Sequence, residues 1–288
     1  HRPGRRRELR GGASVVTRET AALGSFASGP SSSSTYLLAL DGLRAIAVLL
    51  VLLFHAGVGF FRNGFIGVDV FFVLSGFLIT GLLLRELRAT GTVSLPAFYA
   101  RRARRLLPAA ALVGLVTVVA SAILLPPLRV PDVAGDAVAA ALYSANLRFG
   151  LAATDYLAQD LAPSPLLHTW SLGVEEQFYL LWPALLLLVL GPLARRGRDL
   201  TLRALVLVAT VAVASFAFSW WLTGVNAPWA FYSLPTRAWE LGLGAALAIA
   251  GARTAAVPAA VRALLGWVGV GLVIAAGLLL DGEDPFPG

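Results

Sequence analysis

Three histidines and no cysteine leave this chain few groups for acid–base or nucleophilic chemistry, and His55 stands inside a long apolar run. Arg44 precedes it by about three helical turns, so the two share one helix face roughly 16 Å apart along the axis. A cation at one end and an imidazole at the other suits base chemistry on a substrate reached through the helix bundle. The same residues also fit a packing role, with Arg44 snorkelling and pairing with Asp41 while His55 hydrogen-bonds in an interior. Asp69 sits about one turn into the next apolar run, and the intervening hairpin brings it to the depth of His55. A carboxylate beside an imidazole orients it and raises its basicity, as a base for a hydroxyl requires. Read only as a buried ion pair, the two would simply hold two helices together. Asp69, Gly76 and Thr80 share a face, which predicts a polar, close-packed seam.

Further along, Phe98-Tyr99 leads into Arg101, Arg102, Arg104 and Arg105. Such a run is a topology determinant at lipid headgroups, and planar guanidinium groups beside aromatic rings also suit the phosphates and base of a nucleotide. His168 precedes a fourth apolar run that opens with Glu175 and Glu176. Acids are at home in a first helical turn. Adjacent residues point about 100° apart, however, so at least one of this pair faces protein or a water-filled cavity. Arg237 and Glu240, three residues apart, read as a neutralising structural pair.

The elements that position these groups are set by composition. Hydrophobic residues make up 58% of the chain and charged ones 14%, with a mean hydropathy of +0.78, more than one aqueous core can bury. The apolar residues fall into runs of about twenty, enough to cross ~30 Å of hydrocarbon as helix. The pattern predicts spans near 43–60, 65–84, 107–125, 170–191, 200–222, 233–250 and 263–280. The segment 133–150 is expected to lie in the outer interface or dip back, and not to cross. Every basic residue is arginine and the formal charge is +7; in a membrane chain that balance reports topology before nucleic acid. Clusters at Arg85 to Arg105, Arg195 to Arg198 and Arg253 to Arg262 all fall inside if the amino terminus is inside, whereas the outer loops carry Asp132, Asp136, Asp155, Asp160, Asp281, Glu283 and Asp284. Residues 1–35, rich in Arg, Gly and Ser, are expected to form a disordered basic cytoplasmic tail ahead of a transmembrane domain over 36–288. Lacking methionine and stopping just after an apolar run, the chain is expected to be the amino-terminal part of a longer protein.

Taken in order, four blocks resemble the membrane-bound acyltransferase family 3: Leu40-Asp41-Gly42-Leu43-Arg44-Ala45 with His55; Gly67-Val68-Asp69-Val70-Phe71-Phe72 through Phe77; Phe98-Tyr99 with the arginine run; and His168-Thr169-Trp170-Ser171-Leu172 leading into Glu175-Glu176-Gln177-Phe178-Tyr179. The resemblance runs from about Leu40 to the end. It implies an all-α polytopic bundle of about ten spans, of which this chain holds about seven. It also implies His55 as the essential histidine, Arg44, Arg102 and Arg104 as contacts for an acyl-coenzyme A donor, and a glutamate of Glu175-Glu176 in the site.

The expectation is therefore a multi-pass inner-membrane O-acyltransferase with a cytoplasmic amino terminus. It would move an acyl group, chiefly acetyl from acetyl-CoA, to a hydroxyl of an extracytoplasmic saccharide or similar acceptor, with no metal and no nucleic acid. Asp69, Glu175 or Glu176 would orient His55, and His168 would meet the acceptor. Direct transfer and an acyl-histidine intermediate both fit. Two other readings use the same buried charges, a proton-coupled permease and a non-catalytic scaffold. Vesicle uptake without an acyl donor distinguishes the first. Loss of stability on His55 replacement, with no donor binding, distinguishes the second.

Overall fold

Hydrocarbon offers the backbone no hydrogen-bond partner, so apolar runs of this length satisfy their own amides and carbonyls as α-helices. The computed structural model describes residues 32–155, 162–254 and 256–279, and all regular elements among them are helical. They are α1 (Ser32–His55), α2 (Ile66–Thr90), α3 (Leu95–Leu124), α4 (Val130–Ala141), α5 (Ala145–Thr154), α6 (Trp170–Ala194), α7 (Thr201–Val225), α8 (Ala227–Tyr232), α9 (Leu234–Thr254) and α10 (Ala259–Leu279). Six stretches are long and apolar enough to cross a membrane: Leu38–His55, α2, α3, Leu167–Ala194, α7 and α10. The expected all-α polytopic bundle is what forms.

The seventh expected span, near 233–250, is α9. It is a helix of 21 residues, but Arg237 and Glu240 near its start keep it outside those six. It packs along α2 and α7. The segment 133–150 forms α4 and α5, of 12 and 10 residues. At ~1.5 Å per residue neither reaches across ~30 Å of hydrocarbon. Residues 1–31 of the expected tail and the acids Asp281, Glu283 and Asp284 lie outside the described residues; α1 already begins at Ser32, within the serine tract.

Glycine sets the closest helix approaches. A Cβ on Gly76 of α2 would collide with the Leu241 carbonyl of α9, and one on Gly244 of α9 with the Val73 carbonyl of α2. The two backbones thus touch reciprocally, as small residues allow in membrane bundles. Gly64 and Gly67 do the same against the Leu50 and Ala47 carbonyls of α1, which lays the carboxyl-terminal half of α1 on the start of α2. Gly244→Ala is expected to destabilise the fold by about 1–3 kcal/mol through overpacking, because the obstructing atoms are backbone and cannot rotate away. Chemical unfolding in detergent measures this. The predicted seam on α2 is present: Asp69 faces α9, Gly76 touches it, and Thr80 accepts a 2.9 Å hydrogen bond from the Trp182 indole of α6.

Candidate active site

Glu175 and Glu176 open the second turn of α6 and diverge to different helices. Glu175 accepts hydrogen bonds from the Ser75 hydroxyl of α2 and, at 2.5 Å, from the Tyr179 hydroxyl one turn on. Glu176 receives a two-pronged guanidinium contact from Arg102 of α3, its Nε at 3.1 Å. The same guanidinium lies 3.6 Å from the centre of the Tyr179 ring, and the Tyr99 hydroxyl donates to the Leu180 carbonyl at 2.7 Å. Both glutamates therefore face protein, where the sequence required this of one at least. Bidentate pairing and stacking on an aromatic face are geometries that arginine can adopt and lysine cannot.

Two cavities flank this pair. One, of about 320 Å³, is lined by Tyr99, Arg102, Glu176 and Tyr179. The other, of about 200 Å³, is lined by Ala110, Gly114, His168 and Glu176 among others. Leu106, Tyr143 and Glu176 line both. The two spaces adjoin across these three side chains, with a guanidinium in one and an imidazole in the other.

Tyr143 had no signal in the sequence. It occupies the corner between α4 and α5 with φ of 54°, a left-handed conformation that costs a bulky residue about 1–3 kcal/mol. Gln177 of α6 holds that corner, donating to the Tyr143 carbonyl at 3.0 Å and to the Asn146 amide oxygen at 2.8 Å. Asn146, wholly buried, donates in turn to the Tyr232 carbonyl at 3.0 Å. The Tyr143 hydroxyl is buried with no hydrogen-bond partner among the described residues. Burial, and then the Glu176 carboxylate, push its phenol up from the ordinary value against a pull from Arg102, so it remains a neutral donor at physiological pH. Tyr179 and Ser75 also escaped sequence reasoning, although the four-residue step from Glu175 to Tyr179 is a helical contact spacing.

His55 ends α1 with its side chain exposed. Its Nδ1 lies 2.8 Å from the Val51 carbonyl of the same helix. A carbonyl can only accept, so Nδ1 donates and Nε2 is the ring nitrogen left for a substrate. His168, in a short 3-10 turn ahead of α6, lines the smaller cavity and lies within electrostatic reach of His55. Chain distance of more than a hundred residues thus separates two imidazoles that are electrostatic neighbours.

The expected pairing of His55 with Asp69 is not what the structure holds. Asp69 meets Arg237 of α9 at 3.0 Å, and Arg237 also pairs with Glu240 at 2.9 Å and donates to the Phe231 carbonyl at 3.0 Å. The expected Arg237–Glu240 pair therefore forms, with Asp69 as its third member. A guanidinium buried to 1% exposure needs anionic partners more than an exposed imidazole does, and it takes the nearest carboxylate. Among the described residues no carboxylate hydrogen-bonds His55. The Arg102 and Arg104 side chains, two positions apart, point to nearly opposite sides of α3: Arg102 turns inward and Arg104 is exposed. Arg44 is half-buried on α1. The described residues contain no group of three or more His, Asp and Glu suited to a metal ion.

The helical membrane bundle with its buried Arg–Glu clamp is the fold of a membrane-embedded acyltransferase by its family: the chain belongs to the acyltransferase family 3, whose domain model, described as "Acyltransferase domain", matches residues 37–286. It is 38% identical over 221 residues to peptidoglycan O-acetyltransferase OatA of Listeria monocytogenes, covering 75% of this chain and 34% of that protein. It is also 38% identical to the putative peptidoglycan O-acetyltransferase YrhL of Bacillus subtilis (74% of this chain, 33% of that protein) and 37% identical to O-acetyltransferase OatA of Staphylococcus aureus (75% and 35%). The chain spans about a third of the length of these relatives. No solved structure matches it.

Proposed function

We propose that this chain forms the membrane core of an O-acyltransferase that moves an acyl group from cytoplasmic acyl-CoA to a hydroxyl of an extracytoplasmic glycan, with a peptidoglycan sugar as the acceptor. The observation that carries this reading is the pair of adjoining cavities, one beside Arg102 and the other beside His168, separated only by Leu106, Tyr143 and Glu176. The orientation rests on arginine. Arg85, Arg88, Arg195, Arg196 and Arg198 cluster at the α2–α3 and α6–α7 connections, which the positive-inside rule assigns to the cytoplasm along with the amino terminus.

On this reading the donor enters beside Arg102. Two of its five guanidinium donors engage Glu176, leaving the others for the donor's phosphates or carbonyls, with Arg44 adding charge nearer the cytoplasmic face and Arg104 adding it from the exposed side of α3. His55 Nε2 takes the proton from the acceptor hydroxyl as its oxygen bonds to the acyl carbon. The carbon–sulfur bond breaks, and the departing thiolate is protonated to free coenzyme A. His168 meets the transferred group at the wall of the smaller cavity, while Tyr143 donates to the oxygen that gains charge as the tetrahedral carbon forms. Glu175 holds Ser75 and Tyr179, keeping the Arg102 stacking surface in place. Asp69 acts at one remove, fixing α9 against α2.

Membranes holding the full-length protein, incubated with labelled acetyl-CoA and cell-envelope glycan, are expected to place label in an alkali-labile ester on the glycan. A folded protein that leaves the glycan unlabelled overturns the reading. Arg102→Lys is expected to reduce initial rates by about 10-fold or more, since lysine loses both the two-pronged contact and the stacking.

A further inference from the structure

The smaller cavity has a composition unlike its neighbour's. Ala109, Ala110, Val113 and Gly114 of α3, Ala140 of α4 and Leu172 of α6 give it small apolar walls, while His168, Glu176 and Tyr143 supply its polar side. Its volume is about 200 Å³. An apolar cavity of ~150 Å³ accommodates benzene, and each water-sized group takes ~30 Å³, so this space holds about six or seven non-hydrogen atoms. An acetyl group fills less than half of it. A butyryl or isovaleryl group fills it, and an octanoyl group exceeds it. The apolar walls would also desolvate an acyl chain ending in its own carboxylate.

We propose that this cavity between α3, α4 and α6 is the acyl-chain pocket, that it admits saturated acyl groups of four or five carbons as well as acetyl, and that Val113 and Gly114 set its limit. The proposal rests on the acyl-transfer reading above and adds the chemical class of the transferred group. Gly114 is buried, and a Cβ there would make only an ordinary 3.6 Å contact with the Ala137 Cβ, so a side chain can be rooted at this position and grow into the cavity. Trimming Val113 enlarges the same space without demanding new room.

The test uses membranes containing the full-length protein, with acetyl-, butyryl-, isovaleryl-, octanoyl- and succinyl-CoA as donors and envelope glycan as acceptor. Each ester is identified by mass, and rates are expressed relative to acetyl. Butyryl and isovaleryl are expected within about 10-fold of acetyl, with octanoyl and succinyl about 100-fold or more below it; a hydrophobic pocket discriminates by about 10- to 200-fold per misplaced methylene. Gly114→Leu should lower the butyryl-to-acetyl ratio about 10-fold or more, and Val113→Ala should raise the octanoyl-to-acetyl ratio. The second variant removes bulk and so guards against a misfolded first one. Acetyl transfer with neither butyryl nor isovaleryl used, or with both ratios unmoved by the variants, overturns the pocket while leaving acyl transfer intact. A folded protein that uses no donor at all, acetyl included, overturns both.

Discussion

Replacing His55 with alanine is expected to lower acyl transfer by about 10²–10⁴-fold, the contribution of a positioned general base, while thermal unfolding of the protein in detergent hardly changes. The second half of this expectation comes from geometry. The His55 ring is exposed, and among the described residues its hydrogen bond to Val51 and its ring contact with Phe54 both stay within α1, so little of the packing between helices depends on it. A scaffold reading requires the opposite pattern, in which stability falls and chemistry was never present. A permease reading requires uptake that is independent of any acyl donor. Measuring acyl transfer to envelope glycan and unfolding midpoint on the same preparation separates the three. Activity retained in a folded His55→Ala protein removes His55 from the mechanism.

The largest effect on stability is expected at Arg237. It is 1% exposed, as is Glu240, and its guanidinium meets two carboxylates and a backbone carbonyl. Arg237→Met keeps most of the side-chain volume but leaves Asp69 and Glu240 without a cation. Breaking a buried ion pair from one side costs about 3–5 kcal/mol, because a charge is left uncompensated. The loss should appear as a lower unfolding midpoint and a lower yield of folded protein. Adding Asp69→Asn and Glu240→Gln to Arg237→Met should restore part of the loss, since no buried charge then stands unpaired. If Arg237→Met unfolds at the same midpoint as the parent, the cluster does not join α2 to α9. The arrangement also makes a distinction for Asp69. As a positioning residue it should affect the folded fraction before it affects the rate per folded molecule.

The long helices and the places where charge needed company were legible in the sequence, but two of their starts were not: α1 begins at Ser32 and α3 at Leu95, well ahead of the apolar runs expected from 43 and 107, because polar and arginine-rich residues continue a helix outside the hydrocarbon. Runs of about twenty apolar residues dictate spanning helices whatever surrounds them, and segment 133–150 breaks into two helices of 12 and 10 residues, each too short to cross. The Arg237–Glu240 contact was equally readable, because a three-residue step places two side chains on one helix face. Which distant group each buried charge would meet was not readable. Asp69 could face His55 or Arg237, and the decision came from Gly76 and Gly244, whose lack of a side chain lets α2 and α9 touch. Glu176 found Arg102 across 74 residues and Glu175 found Ser75 across 100, pairings set by which helices become neighbours. Tyr143 shows the limit most plainly, for nothing in its local sequence marks a tyrosine whose backbone is held left-handed by Gln177 of α6. Periodicity fixes what lies on one helix. Partner choice between helices depends on close packing, which involves the whole bundle at once and leaves no short-range trace.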